Sequence, residues 1–166
     1  MNRPSFHNIL MNMALLVAKR STCSRLQVGA VISSADFRSV LSMGYNGNAT
    51  GMPNCCDKTG PDAVGGCGCI HGEANAVINC TTPRSVEKYV FVTDSPCPTC
   101  AKYLINLGGV THVLYFREYR LKNAIFYLHD AGITVLRYAP PAEGAEDEFY
   151  DPVHEVFRKE WRNHGS

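Results

Sequence analysis

The residues with the most chemistry in them fall into two short clusters, His71-Gly72-Glu73 and Pro96-Cys97-Pro98-Thr99-Cys100. One imidazole and two thiolates supply three ligands of the mixed nitrogen–sulfur kind that suits zinc, and leave its fourth tetrahedral position for water. Zinc lowers the pKa of such a water to about 7, so a hydroxide nucleophile exists at neutral pH. Glu73, two residues past the histidine, can take the water's proton and return it to a ring nitrogen and a leaving amine. Each cluster alone has plainer readings. A histidine near a helix start commonly packs or caps, and two cysteines three apart can form a redox pair or a structural zinc knuckle. Together they predict a hydrolytic metal centre.

Such a centre needs elements that bring distant residues together. Phe6, Ile9, Leu10, Met13, Leu16 and Val17 recur at helical spacing, predicting a mature amphipathic helix over about residues 4–20. The run ends in Lys19-Arg20 without a small-residue cleavage pattern, unlike a signal peptide. Residues 26–32 read as a buried strand, 33–36 as a turn and 39–43 as a returning strand. From there the pattern alternates: a helix over 71–79, a strand at 89–92, a helix from Cys97 to the Gly108-Gly109 stop, a strand at 112–116, a helix over 121–130 and a strand at 133–136. Strand–helix–strand alternation with short connections predicts a mainly parallel sheet, with one antiparallel strand from the opening hairpin. In such a sheet the helix N-termini gather on one edge, where ligands bind and where the dipole stabilises thiolates. Both clusters sit where a loop or strand feeds a helix.

The remaining arithmetic fits one domain of 166 residues, 45% apolar, with 16 Lys+Arg against 15 Asp+Glu. A net charge of +1 excludes a strongly basic domain built to neutralise long nucleic acid. No apolar run approaches the roughly 18 residues of a membrane span. Eight cysteines could form four disulfides in a secreted scaffold or bind metal in a reducing cell; without a signal peptide, metal and a cytoplasmic location are expected. Residues 44–70 hold seven of the fourteen glycines and four cysteines, a long loop that needs an anchor. Residues 139–166 are expected to form a tail with a short helix, packing on the 1–138 domain or a neighbouring subunit.

The spacing H-x-E…P-C-x-x-C is the zinc deaminase signature. With it, residues 20–31, Gly44-Tyr45-Asn46-Gly47, His71-Gly72-Glu73-Ala74-Asn75-Ala76 and Ser95-Pro96-Cys97-Pro98-Thr99-Cys100 resemble the deoxycytidylate (dCMP) deaminases, their phage and bacterial branch most of all, over about residues 5–138. The resemblance implies a cytidine-deaminase-like three-layer α/β/α fold whose five-stranded mixed sheet has an antiparallel N-terminal hairpin and otherwise parallel strands. It implies zinc-dependent conversion of dCMP to dUMP and ammonia, on the way to dTTP. His71, Cys97 and Cys100 would hold the catalytic zinc and Glu73 would carry the protons. One departure is Gly72, where the family usually has Ala.

Further roles are implied by matching position. Asn46 resembles the residue that bonds the sugar, although Tyr-Asn-Gly is also ordinary turn chemistry. Arg25, Tyr119 and Arg120 resemble the 5′-phosphate contacts. The segment with Gly44, Tyr45, Asn46, Gly47, Asn48 and Gly51 resembles the site where dCTP, accompanied by Mg2+, activates and dTTP inhibits. A second, structural zinc is implied on Cys23, Cys55, Cys67 and Cys69; Cys55 and Cys56 are adjacent and point apart, so one of them ligates. Cys67 and Cys69, two apart, can face one metal; free buried thiols or a disulfide are the alternative. A homo-oligomer, a hexamer by preference, is implied too, in a host's cytoplasm if the chain is phage-encoded. Two other readings share these residues: a tRNA or single-stranded nucleic-acid deaminase acting on a flipped base, and a non-catalytic zinc-stabilised interaction module. The even charge counts against the first and Glu73 against the second.

Overall fold

A computed structural model describes residues 3–56, 67–118, 123–141 and 147–153. The chain opens with α1 (Phe6–Ala18), capped by Ser5, whose side chain accepts a hydrogen bond from the Asn8 N–H. The hairpin β1 (Gly29–Ser34) and β2 (Val40–Tyr45) follows, then α2 (Gly72–Ile78), β3 (Lys88–Asp94), α3 (Pro98–Leu107), β4 (Val110–Arg117), α4 (Asn123–Asp130), β5 (Thr134–Ala139) and β6 (Glu148–Tyr150). The strands form one sheet in the order β2-β1-β3-β4-β5-β6. β3, β4 and β5 are parallel, while β1 is antiparallel to both β2 and β3, and β6 is antiparallel to β5.

Two expectations need correction. The sheet has six strands rather than five, because residues 148–150 return alongside β5 and pair with it antiparallel, so the strands after the hairpin are not all parallel. Leu26, Gln27 and Val28 precede β1 instead of opening it. Their backbone is bonded to side chains: Asn46 Oδ1 accepts from the Val28 N–H at 2.7 Å, and Asn46 Nδ2 donates to the Leu26 carbonyl at 2.7 Å.

Alternation along the strands fills both faces of the sheet. Ala30, Ile32, Val90, Val92, Val113 and Tyr115 pack with α2, α3 and α4 through Ala76, Ala101, Leu104, Ala124 and Leu128. Val31, Phe91 and Leu114 pack on the other face with Leu10, Met11 and Ala14 of α1. Each fully buried large side chain contributes about 1.5–3 kcal/mol, so this double-sided burial holds the three layers together. Two glycines set the layer spacing. A Cβ on Gly29 would lie 2.1 Å from the Ala14 carbonyl oxygen, and one on Gly44 2.3 Å from the Ala76 nitrogen; only glycine lets α1 and α2 settle this close.

Far from the helix N-termini that bear the two motifs, Lys88 is buried whole. Its ammonium donates to the carbonyls of Pro83, Val86 and Gly108 at 2.7, 2.7 and 3.1 Å. Burial lowers its pKa, and the three carbonyls offset the cost of desolvating the charge. This ties the end of α3 to the turn that leads into β3.

Candidate metal centre and active site

Both chemical motifs lie at helix starts, and local sequence explains why. His71 is the extended residue before α2, and Cys97 the extended residue before α3, with Pro98 in the first turn, where its missing N–H costs nothing. Cys97 is also the cap itself: its sulfur accepts from the Cys100 N–H at 3.5 Å. Cys100 follows one turn later and is buried. The His71 Nδ1 lies 3.5 Å from the Cys97 sulfur and 3.4 Å from the Cys100 sulfur.

These spacings suit one ion. Zinc–sulfur bonds of about 2.3 Å and zinc–nitrogen bonds of about 2.0 Å put tetrahedral neighbours roughly 3.5 Å apart. Of the two thiols, Cys97 is the one held ready as a thiolate. Hydrogen bonding with Cys100 holds Cys97 at about 4, while the same bond, with burial, drives the Cys100 thiol far up. His71 is raised, chiefly by its bond to Cys97.

Glu73 sits in the first turn of α2, 4% exposed, and its Oε2 has no hydrogen-bond partner. Burial pushes its carboxyl up to about 7. A buried, unpaired carboxyl oxygen costs several kcal/mol unless something at the site satisfies it. Beside three residues that could hold a metal ion, water is a natural partner.

A second cluster forms from Cys23, Cys56, Cys67 and Cys69, whose ligand atoms lie within 4.8 Å of one another. Cys23 and Cys67 are 3.5 Å apart, as are Cys56 and Cys69. The sulfur expected from Cys55 comes from Cys56: Cys56 is buried and turned inward, whereas Cys55 is exposed. The chain bends at Asn54 and Cys55, where the Cys55 N–H donates to the Pro53 carbonyl at 2.8 Å, and the second cysteine is the one that turns in. Hydrogen bonding from the Ser24 backbone lowers Cys56 to about 7, while burial raises Cys23 and Cys69. Four sulfurs from three loop segments make a closed, soft donor set of the kind that holds structural zinc.

The other expected residues divide. Asn46 is buried with both ends of its amide committed to the Leu26–Val28 backbone. Gly44 is packed under α2, and Gly47 exchanges both backbone bonds with Ile70. Tyr45 and Asn48 are partly exposed, and Gly51 and Arg25 exposed. Tyr119 and Arg120 lie outside the described residues. Gly72 has a physical reason here: a Cβ would stand 2.9 Å from the Val28 carbonyl oxygen.

Sequence reasoning missed Asp94 and Arg117. They are register partners at the C-terminal ends of β3 and β4. Arg117 Nη2 donates to Asp94 Oδ2 at 2.8 Å and to the Gln27 carbonyl at 3.3 Å. The Thr93 hydroxyl donates to the same carboxylate oxygen at 2.7 Å. The available signal was opposite charges at matching ends of two adjacent parallel strands.

Comparison with known proteins finds relatives of one kind. A family model described as the cytidine and deoxycytidylate deaminase zinc-binding region matches residues 4–117. Deoxycytidylate deaminase of Schizosaccharomyces pombe is 32% identical over 150 residues, 84% of this chain and 46% of that protein. The Saccharomyces cerevisiae enzyme of the same name is covered to the same extent, so the chain spans about half the length of these relatives. Deoxycytidylate deaminase of Mycobacterium phage D29 is 33% identical over 130 residues, 71% of this chain and 99% of that protein. Among solved structures, dCMP deaminase of cyanophage S-TIM5, in complex with dCMP and dUMP, matches with a TM-score of 0.70 and 30% identity, over 82% of this chain and 99% of that one. Among the described residues, no helix is long and apolar enough to cross a membrane.

Proposed function

This chain belongs to the cytidine and deoxycytidylate deaminase family, and from that premise we propose that it hydrolyses dCMP to dUMP and ammonia. The observation that carries the reading is Glu73: a buried carboxyl with an unpartnered oxygen, two residues from His71 and at the edge where Cys97 and Cys100 converge. When bound by His71, Cys97 and Cys100, zinc supplies a Lewis acid that makes water acidic enough to attack at neutral pH. The chain's own part is proton traffic. Glu73 accepts a proton from the attacking water as oxygen bonds to C4 of the cytosine, and delivers it to N3. It then moves the remaining hydroxyl proton to the exocyclic nitrogen, the C4–N4 bond breaks, ammonia leaves, and the uracil carbonyl remains.

The phosphate is assigned to Arg25, with Tyr119 and Arg120, on the resemblance; a guanidinium fork suits a phosphate. Asn46 fits a sugar-facing role only through the lone pair and N–H that its backbone bonds leave over. Regulation by dCTP with Mg2+ and by dTTP is proposed for the exposed end of the 44–51 segment, and a homo-oligomer for the assembly, on the same resemblance. The Cys23, Cys56, Cys67 and Cys69 set is proposed to hold a second, structural zinc; its sulfur spacing and soft donors support this.

The deciding experiment offers dCMP, CMP, deoxycytidine and a single-stranded oligonucleotide side by side, with and without dCTP, and follows loss of cytosine absorbance. Turnover of dCMP ahead of the others is expected. Turnover of the oligonucleotide alone would move the assignment to a nucleic-acid deaminase, and no turnover at all would remove it.

A further inference from the structure

Leu26, Gln27 and Val28 lie just before β1, and side chains bond the backbone of each. Asn46 grips the stretch at Leu26 and Val28, and the Asn46 N–H also donates to the Val28 carbonyl at 3.1 Å. Arg117 holds the middle, at the Gln27 carbonyl. Val28 is further backed by Gly72, between His71 and Glu73. The two grips therefore share the stretch. Asn46 sets Val28 against the first turn of α2 and also holds the Leu26 carbonyl next to Arg25, and Arg117 adds a bond at Gln27 between them.

Arg117 can do this because it is itself held. Asp94 is 7% exposed, and a carboxylate so placed needs a charged partner. Arg117, about half exposed, supplies it. One nitrogen, Nη2, serves both Asp94 and Gln27, so the ion pair fixes the point where the 25–27 backbone rests. Asp94 also lies three residues before Cys97, which puts the clamp on the edge that holds the metal ligands.

We propose that Arg117, clamped by Asp94, is a positioning residue that fixes the Arg25–Gln27 stretch so that Arg25 meets the anionic end of the substrate. The inference rests on the deaminase reading and deepens it by naming what selects a nucleoside monophosphate over a nucleoside. Neither Arg117 nor Asp94 is bonded to the metal-ligand candidates or to Glu73, although, after burial, the Asp94 charge helps to raise the Glu73 carboxyl. That influence is common to every substrate, so the part that separates dCMP from deoxycytidine falls on recognition of the phosphate.

The test compares the unaltered chain with Arg117→Gln, Arg25→Gln and the double variant, using dCMP and deoxycytidine. Small misplacements of a binding group cost about ten- to a hundredfold. Accordingly, Arg117→Gln is expected to raise the KM for dCMP about tenfold, with bound metal unchanged, any change in kcat the same on both substrates, and the KM for deoxycytidine nearly unchanged. In the Arg25→Gln background the same substitution should add little. Asp94→Asn, which keeps the shape and removes the charge, should reproduce part of the effect. A readout independent of turnover is amide exchange, which should quicken at residues 25–27 in Arg117→Gln. An unchanged KM for dCMP, equal losses on both substrates, unchanged exchange, or penalties that simply add in the double variant would each overturn the relay. Failure of the unaltered chain to act on dCMP would instead strike the deaminase reading, and the exchange result would still score the clamp.

Discussion

The molecule builds two sulfur-rich clusters in opposite ways. The His71, Cys97 and Cys100 triad stands on the starts of two helices, α2 and α3, which are packed on the sheet through Ala76, Ala101 and Leu104. The Cys23, Cys56, Cys67 and Cys69 tetrad is drawn from the residues after α1 and from both ends of the long loop between β2 and α2. The triad is thus placed by a packed core, and offers three candidate ligands with a buried acid beside them. The tetrad offers four candidate ligands, no acid in its set and no helix or strand among its own residues. A site meant to react keeps a position open on a rigid frame, whereas a site meant to hold closes its shell and makes the frame.

The sharpest way to break this contrast is to remove one ligand from the triad. Cys97→Ser is expected to lower bound zinc from two to one per chain and deamination to background, with the fold intact; elemental analysis with circular dichroism checks it. Next comes Glu73→Gln, where both ions stay and kcat falls about 10²–10⁴-fold. Equal activity in the two proteins would remove the proton-carrying role. A ligand lost from the tetrad should act through stability. Cys56→Ser is expected to release one ion and destabilise the chain by roughly 3 kcal/mol or more, read as a lower denaturant midpoint, with Glu73-dependent turnover persisting in the folded fraction. Gly72→Ala probes the triad's frame: the Cβ meets the Val28 carbonyl oxygen at 2.9 Å, and overpacking of this kind costs about 1–3 kcal/mol. Smallest is Cys55→Ser. The exposed neighbour should change neither zinc content nor melting temperature, and a loss of zinc would reverse the choice between the two adjacent cysteines.

Much of this was legible in the chain because local rules and global fold agreed. Pro98 and Gly108 mark the ends of α3, so the place of Cys97 at its start could be read directly. The alternation of strands and helices put His71 and Cys97 on one edge. Legibility failed where the deciding partner is distant in sequence. Residues 26–28 have a strand's composition, but Asn46 and Arg117 take the place of a neighbouring strand. Residues 148–150 are three long and follow a Pro-Pro pair, too short for any period to show; they pair with β5 while Asp147 accepts from the Tyr138 hydroxyl at 3.0 Å and from Ser5. Which of Cys55 and Cys56 turns inward depends on the path of a loop that has no period at all.

The amide of Asn46 has a chemical consequence beyond architecture. It is followed by Gly47, the smallest neighbour and so the one that least hinders attack of the next backbone nitrogen on the side-chain carbonyl, the step that begins loss of ammonia from an ageing asparagine. In the native chain that side chain is buried and bonded at both ends, so the reaction is reserved for molecules that have opened. Damage there would record how long a sample has spent unfolded, and would leave aspartate or isoaspartate where the Leu26 carbonyl needs a donor.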